Sequence, residues 1–272
     1  MCSPGLKELV ETAHLDLNTD GRFNPRLVFG SRRDADHVYN TPRAWYMGRY
    51  FNPHTCRWDG ADADFTPESD DIPWSLVPER KITVEDVKYI LSSHYQGTVY
   101  DPYRKGESPD RGRYRPIGIS RTGVTAILQL RSGVPAEIAG VEWLCFGSNV
   151  FNCAVPLYTN VDKLPDYVSR VTEDVSTGDL YWNSRLIGAL ADAHFGSGIL
   201  LVERYQNAVA AQGRQLLGTY DAKMTACGDY ALAAEANREI AEMARRETQD
   251  ALNKVLRDAC EHMRNGYDRA DN

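Results

Sequence analysis

A chain of 272 residues, 42% hydrophobic and 25% charged, carries enough apolar side chain for one large domain or two ordinary ones. Its formal net charge of −7 argues against a nucleic-acid partner, which would call for a basic face. No apolar run approaches the ~20 residues of a membrane span, and the opening MCSPGLKEL has neither the basic nor the apolar stretch of a secretory signal, so a cytoplasmic protein with no membrane partner is expected.

The first predicted element is a helix over residues 3–13. Ser3 would cap it, Pro4 would occupy its first position, and Leu6, Leu9, Val10 and Ala13 share one face. Residues 16–40 are polar and turn-rich. TPRAWYMGRYF (41–51) reads as a short helix after Pro42. Residues 56–73 lack periodicity and carry six carboxylates, as a surface loop does. Thr83 caps a second helix, TVEDVKYILSSHY, with Glu85 and Asp86 in its first turn and Val87, Ile90, Leu91 and His94 along one face. Residues 103–113 form another exposed loop.

Four short β-rich segments follow: YRPIGIS, GVTAILQLR, AGVEWLCFGS and AVPLYTN. In the second, Val124, Ala126, Leu128 and Leu130 alternate with Thr125, Ile127, Gln129 and Arg131, and apolar residues in both sets predict a strand covered on both faces. Short turns between strands imply antiparallel hairpins. Helices are predicted over 180–195, 199–222 and 229–265, the last from Ile240, Met243, Ala244, Ala251, Leu252, Val255, Leu256, Ala259 and Met263 recurring at three- and four-residue steps. The fold class is α+β, as a single domain.

Cys2, Cys56, Cys145, Cys153, Cys227 and Cys260 form no CxxC pair and read as reduced thiols. Cys2 raises a sharper question. Removal of Met1 would set its thiol beside its own α-amino group, the layout of an N-terminal-nucleophile hydrolase. The other candidates are weaker. DGADAD (59–64) lacks the glycine and distal glutamate of a calcium loop. His94 reads as a core histidine before a general base, and Cys145 and Cys153 as buried structural thiols. Arg121, in the turn GISRTG, is either a carboxylate anchor or a rim charge. Arg43, Trp45, Tyr46, Arg49 and Tyr50 suit packing against a ligand or a subunit, and equally packing within the domain.

Long stretches of the chain resemble one family. FNPRLVFGSRRDADHVYNTPRAWYMGRYFNP (23–53), RKITVEDVKYILSSHYQGTVYDPY (80–103), RPIGISRTGVTAILQLRSGVPAEIAGVEWLCFGSNVFNCAVPLYTNV (115–161) and VSTGDLYWNSRLIGALADAHF (175–195) are similar to the dipeptidase A (PepD-type) family of N-terminal-nucleophile cysteine peptidases. The resemblance covers the later part of such an enzyme. It implies part of an αββα sandwich, hydrolysis of dipeptides through a cysteine acyl-enzyme, and no cofactor or metal.

Family members open on a mature cysteine followed by threonine or aspartate and a β-strand. SPGLKELVETAHLDLN instead resembles an internal family segment, so Cys2 does not match the family nucleophile. Nor does its setting suit one, because Cys2 precedes a Ser-Pro helix start on a chain terminus, whereas a nucleophile needs a rigid strand. Related cysteine hydrolases use an arginine in a Ser-Arg motif near the nucleophile, and Ser120-Arg121 resembles it. The expectation is a portion of a dipeptidase that is inactive alone, has a dipeptide as substrate in the full enzyme, and either self-associates or pairs with a missing N-terminal half. The alternative is a non-catalytic subunit that binds and completes a separate chain bearing the nucleophile.

Overall fold

A computed structural model describes residues 3–16, 23–31 and 33–263. The chain divides into two compact units, Met1–Ile82 with Gly97–Pro116, and Thr83–Gln96 with Ile117–Asn272.

The first unit holds four helices among the described residues: α1 (Leu6–Thr12), α2 (Pro25–Phe29), α3 (Asp36–Tyr39) and α4 (Thr41–Phe51). The cap expected at Ser3 is instead Gly5, whose φ of 80° turns the chain into α1. α2 and α3 lie where the sequence predicts only turns. Asn24 caps α2, accepting from the Arg26 amide at 3.0 Å, and Pro25 sits at its first position. The aromatic residues of α4 pack within the unit. Trp45 and Tyr46 are 2% and 3% exposed, and the Trp45 indole donates to the Trp58 carbonyl at 3.0 Å.

The second unit opens on α5 (Val84–Leu91). Thr83 and Asp86 cap it reciprocally: the Asp86 amide donates to Thr83 Oγ1 at 3.2 Å, and the Thr83 amide to Asp86 Oδ2 at 2.8 Å. The helix stops at Leu91, so His94 lies beyond it, with its ring 5.6 Å from that of Phe195 in an edge contact. YRPIGIS is not a strand. Its Ile117 and Gly118 amides both donate to the Ser93 carbonyl, which folds the segment against the end of α5.

The remaining three segments form an antiparallel sheet in the order β1 (Val124–Leu130), β2 (Gly140–Phe146), β3 (Val155–Tyr158). Val124 faces Phe146 and Leu130 faces Gly140 across the first pair; Val141 faces Tyr158 across the second. The two outer edges differ. At β3, Pro156 offers no amide, and the Asn237 side chain takes up both free groups of Tyr158, accepting from its amide at 2.8 Å and donating to its carbonyl at 3.0 Å. At β1 nothing comparable occurs among the described residues. The expectation of a strand covered on both faces is also corrected there: Thr125 and Ile127 are 8% exposed, but Val124, Leu128 and Leu130 are 55%, 76% and 88% exposed.

Helices α6 (Asp166–Ser169), α7 (Leu180–Ala193), α8 (Phe195–Cys227) and α9 (Ala233–Glu261) complete the unit. α8 buries Val202, Tyr205, Val209, Gly213, Leu217, Tyr220 and Met224 at three- and four-residue steps, and α9 buries Ala236, Ile240, Met243, Ala244, Ala251 and Val255. Gly213 permits the close approach of α8 to β3, since a Cβ there would lie 2.9 Å from Pro156 Cγ. A partly buried polar group ties sheet to helix: Arg131 Nη1 pairs with Asp221 at 2.6 Å, and the Tyr158 hydroxyl donates to Asp221 at 2.8 Å. The observed class is α+β, as expected.

Candidate functional site

Arg121 lies on a loop, residues 117–123, that is fastened along its length. The Ile117 and Gly118 amides hold the Ser93 carbonyl at 3.0 and 2.9 Å, Arg185 Nη1 donates to the Ser120 carbonyl at 2.9 Å, and the Gly147 amide donates to the Gly123 carbonyl at 3.1 Å. Gly118 allows the close contact with α5, because a Cβ at that position would sit 2.6 Å from the Ser92 carbonyl oxygen. The Arg121 side chain itself is exposed. A planar guanidinium on a pinned loop offers a carboxylate two parallel donors at little conformational cost.

The turn after β2 closes on α5 through groups that sequence reasoning missed. Lys88 Nζ donates to Ser92 Oγ at 2.8 Å and to the Asn149 carbonyl at 2.6 Å; Ser92 Oγ donates to the same carbonyl at 3.0 Å. The Asn149 side chain donates to the Leu91 carbonyl at 2.8 Å and reaches Thr125 Oγ1 at 3.4 Å. Its own Oδ1 is buried with no partner among the described residues. Lys88 is half-buried, and its ammonium is held by the Ser92 hydroxyl and the Asn149 carbonyl. Desolvation therefore lowers the Lys88 pKa, with the Cys145 and Cys153 thiols opposing that shift. Both the proton and an acceptor site of the Ser92 hydroxyl are engaged, and Ser92 is 8% exposed. The cluster therefore holds the turn in place rather than offering a serine nucleophile.

The thiols themselves are equally committed. Burial raises the Cys145 pKa, with Lys88 a smaller opposing influence. Burial also pushes the Cys153 thiol up to about 12, although its hydrogen bond to the Tyr205 hydroxyl at 2.9 Å works the other way. Thiols so far from ionising at neutral pH are poor nucleophiles, as the sequence reading of both as structural anticipated. Cys2 lies outside the described residues. No group of three or more His, Cys, Asp or Glu side chains that could hold a metal ion occurs among the described residues.

The first unit has a cleft of its own, about 640 Å³, lined by Trp45, Trp58 and Tyr100 with Asp59, Asp101 and Arg104. Asp59 is paired with Arg49 at 2.8 Å, and Asp101 accepts from the Tyr103 amide at 2.9 Å.

The model of peptidase family C69 matches residues 1–208. The chain belongs to this family. It is 49% identical over 89% of its length to a dipeptidase of Bifidobacterium longum (strain NCC 2705), and 43% identical over its whole length to a "Probable dipeptidase A" of Streptococcus pyogenes serotype M3. It is also 41% identical over 70% of its length to dipeptidase A of Lactobacillus helveticus. The matches span 46%, 57% and 38% of those relatives, so the chain covers about half their length.

The lowered Lys88 pKa has a measurable consequence. Between its value in the fold and the usual lysine value, the unfolded chain binds more protons, so this residue makes stability rise with pH across that window. Cys145 and Cys153 also have their own effect above the ordinary thiol pKa, where only the unfolded chain ionises them and stability falls as pH rises. The thiol effect is common to wild type and a Lys88 variant and cancels in their difference. The stability of Lys88→Met relative to wild type is expected to be highest at pH 7 and to fall as pH approaches 10, by urea unfolding. A difference that does not change with pH would mean the ammonium is not desolvated.

Proposed function

We propose that this chain carries the arginine-bearing part of a dipeptidase that cleaves free dipeptides through a cysteine acyl-enzyme. The single observation that carries this reading is the pinned, exposed Arg121 loop in a chain of family C69. In the reaction, a thiolate attacks the peptide carbonyl. The C–N bond breaks, the departing amine takes the proton that the N-terminal amine had removed from the thiol, and water then hydrolyses the thioester to release the acid and restore the thiol. Arg121 holds the substrate carboxylate or the nucleophile in register. The three-stranded antiparallel sheet with its helices is compatible with a portion of an αββα sandwich, and the raised pKa values of Cys145 and Cys153 argue that the nucleophile is neither of them. The reading of this chain as a complementing subunit gains support from the open, apolar edge at β1.

The test is a panel of free dipeptides, their N-acetylated forms and longer peptides, incubated with the assembled enzyme and analysed for released amino acids. Turnover restricted to free dipeptides and abolished by iodoacetamide is expected. Iodoacetamide-insensitive turnover, or equal cleavage of the longer peptides, would overturn the reading.

A further inference from the structure

Among the described residues, β1 is the strand of this sheet whose edge lacks protection. The amide of Arg131 donates to the Ala139 carbonyl, and that of Gly147 to the Gly123 carbonyl. Backbone groups alternate in direction along an antiparallel pair, so the odd-numbered residues of β1 face β2. The amides and carbonyls of Val124, Ala126, Leu128 and Leu130 therefore point away from the sheet, and none makes a backbone hydrogen bond among the described residues. Three of these residues, Val124, Leu128 and Leu130, also carry uncovered apolar side chains. The usual protections of an edge are missing as well: the strand VTAILQL contains no lysine, no proline and no break in register with β2. The opposite edge shows what protection looks like, with Pro156 and Asn237 closing β3.

We infer that the open edge and outer face of β1 receive a further β-strand, with apolar residues alternating on one side, from the half of the family's length that this chain does not span. The 38–57% coverage of the relatives is the reason for this occupant rather than a second copy: roughly half of the length of these relatives lies outside the match and is available to cover the edge. Only the choice of occupant rests on the family assignment. Backbone hydrogen bonds would give the added strand its register, and Val124, Leu128 and Leu130 would give it specificity. β1 begins three residues after Arg121, so one end of the docked strand lies beside the arginine loop.

Hydrogen exchange tests this residue by residue. The chain is co-expressed with the part of the Bifidobacterium longum dipeptidase outside the match, and amide exchange in β1 is compared with that of the chain alone. The amides of Thr125, Ile127 and Gln129 face β2, should be slow in both samples, and serve as internal controls. Those of Ala126, Leu128 and Leu130 should slow by tenfold or more in the pair only. The doubly substituted Leu128→Lys, Leu130→Lys chain should keep the control amides slow and fail to co-purify. Three results would overturn the inference: no complex, a complex in which the outward amides exchange as before, or outward amides already slowed in the chain alone in step with dimerisation, which makes a second copy the occupant. Protection without dipeptide hydrolysis would sink the proposed reaction and leave the docking surface standing; hydrolysis without protection would do the reverse.

Discussion

Arg121→Ala is expected to lower dipeptide turnover in the assembled enzyme by ~10² or more while changing the stability of this chain by less than ~0.5 kcal/mol. The two effects separate because of where the residue sits. The loop is held through the Ser93, Ser120 and Gly123 carbonyls, all backbone groups that the substitution leaves in place. The side chain is exposed, so its removal opens no cavity. What disappears is the guanidinium that the proposed role assigns to a substrate carboxylate, and loss of a charge used in that way is costly. Arg121→Lys keeps the charge but not the planar fork and should recover only part of the rate. Unchanged kcat and KM in the alanine variant would remove Arg121 from the site.

Asn237→Ala should damage the fold of the second unit far more than Arg121→Ala, with a loss of ~2–4 kcal/mol in urea unfolding. Asn237 and Tyr158 are both 0% exposed, and one side-chain amide satisfies both the amide and the carbonyl of Tyr158. Alanine leaves two buried backbone groups unpaired, each costing ~1–3 kcal/mol, with relaxation or an entering water recovering part of the sum. A loss below ~1 kcal/mol would mean that the β3 edge is not sealed by this residue.

The helices and strands of the second unit are largely legible in the sequence because their patterns are long or reinforced. α8 and α9 repeat apolar residues over many turns, and α5 announces itself through Thr83 and Asp86. The shortest helices are not legible. α2 and α3, at five and four residues, are too brief for periodicity to register. YRPIGIS has strand-like composition, yet its amides bond to Ser93, a partner chosen by tertiary structure. β1 shows the limit of pattern reading most clearly. Alternation marks the strand and its two sets of side chains, but apolar character alone does not say which face is covered within this chain. The site divides in the same way. Arg121 stands out through a Ser-Arg pair that resembles a motif of related cysteine hydrolases. Lys88 and Ser92 have only helical spacing to mark them, and their partner Asn149 lies 61 and 57 residues further along the chain, where no local signal connects them.

The most direct measurement of the central claim is dipeptide turnover by this chain alone and by the chain co-expressed with the unmatched part of the Bifidobacterium longum relative. The account predicts thiol-sensitive turnover from the pair and, from the chain alone, no more than the ~10³–10⁴ over water that an enzyme retains without its nucleophile. Robust turnover by the chain alone that is lost in Cys2→Ser would contradict it.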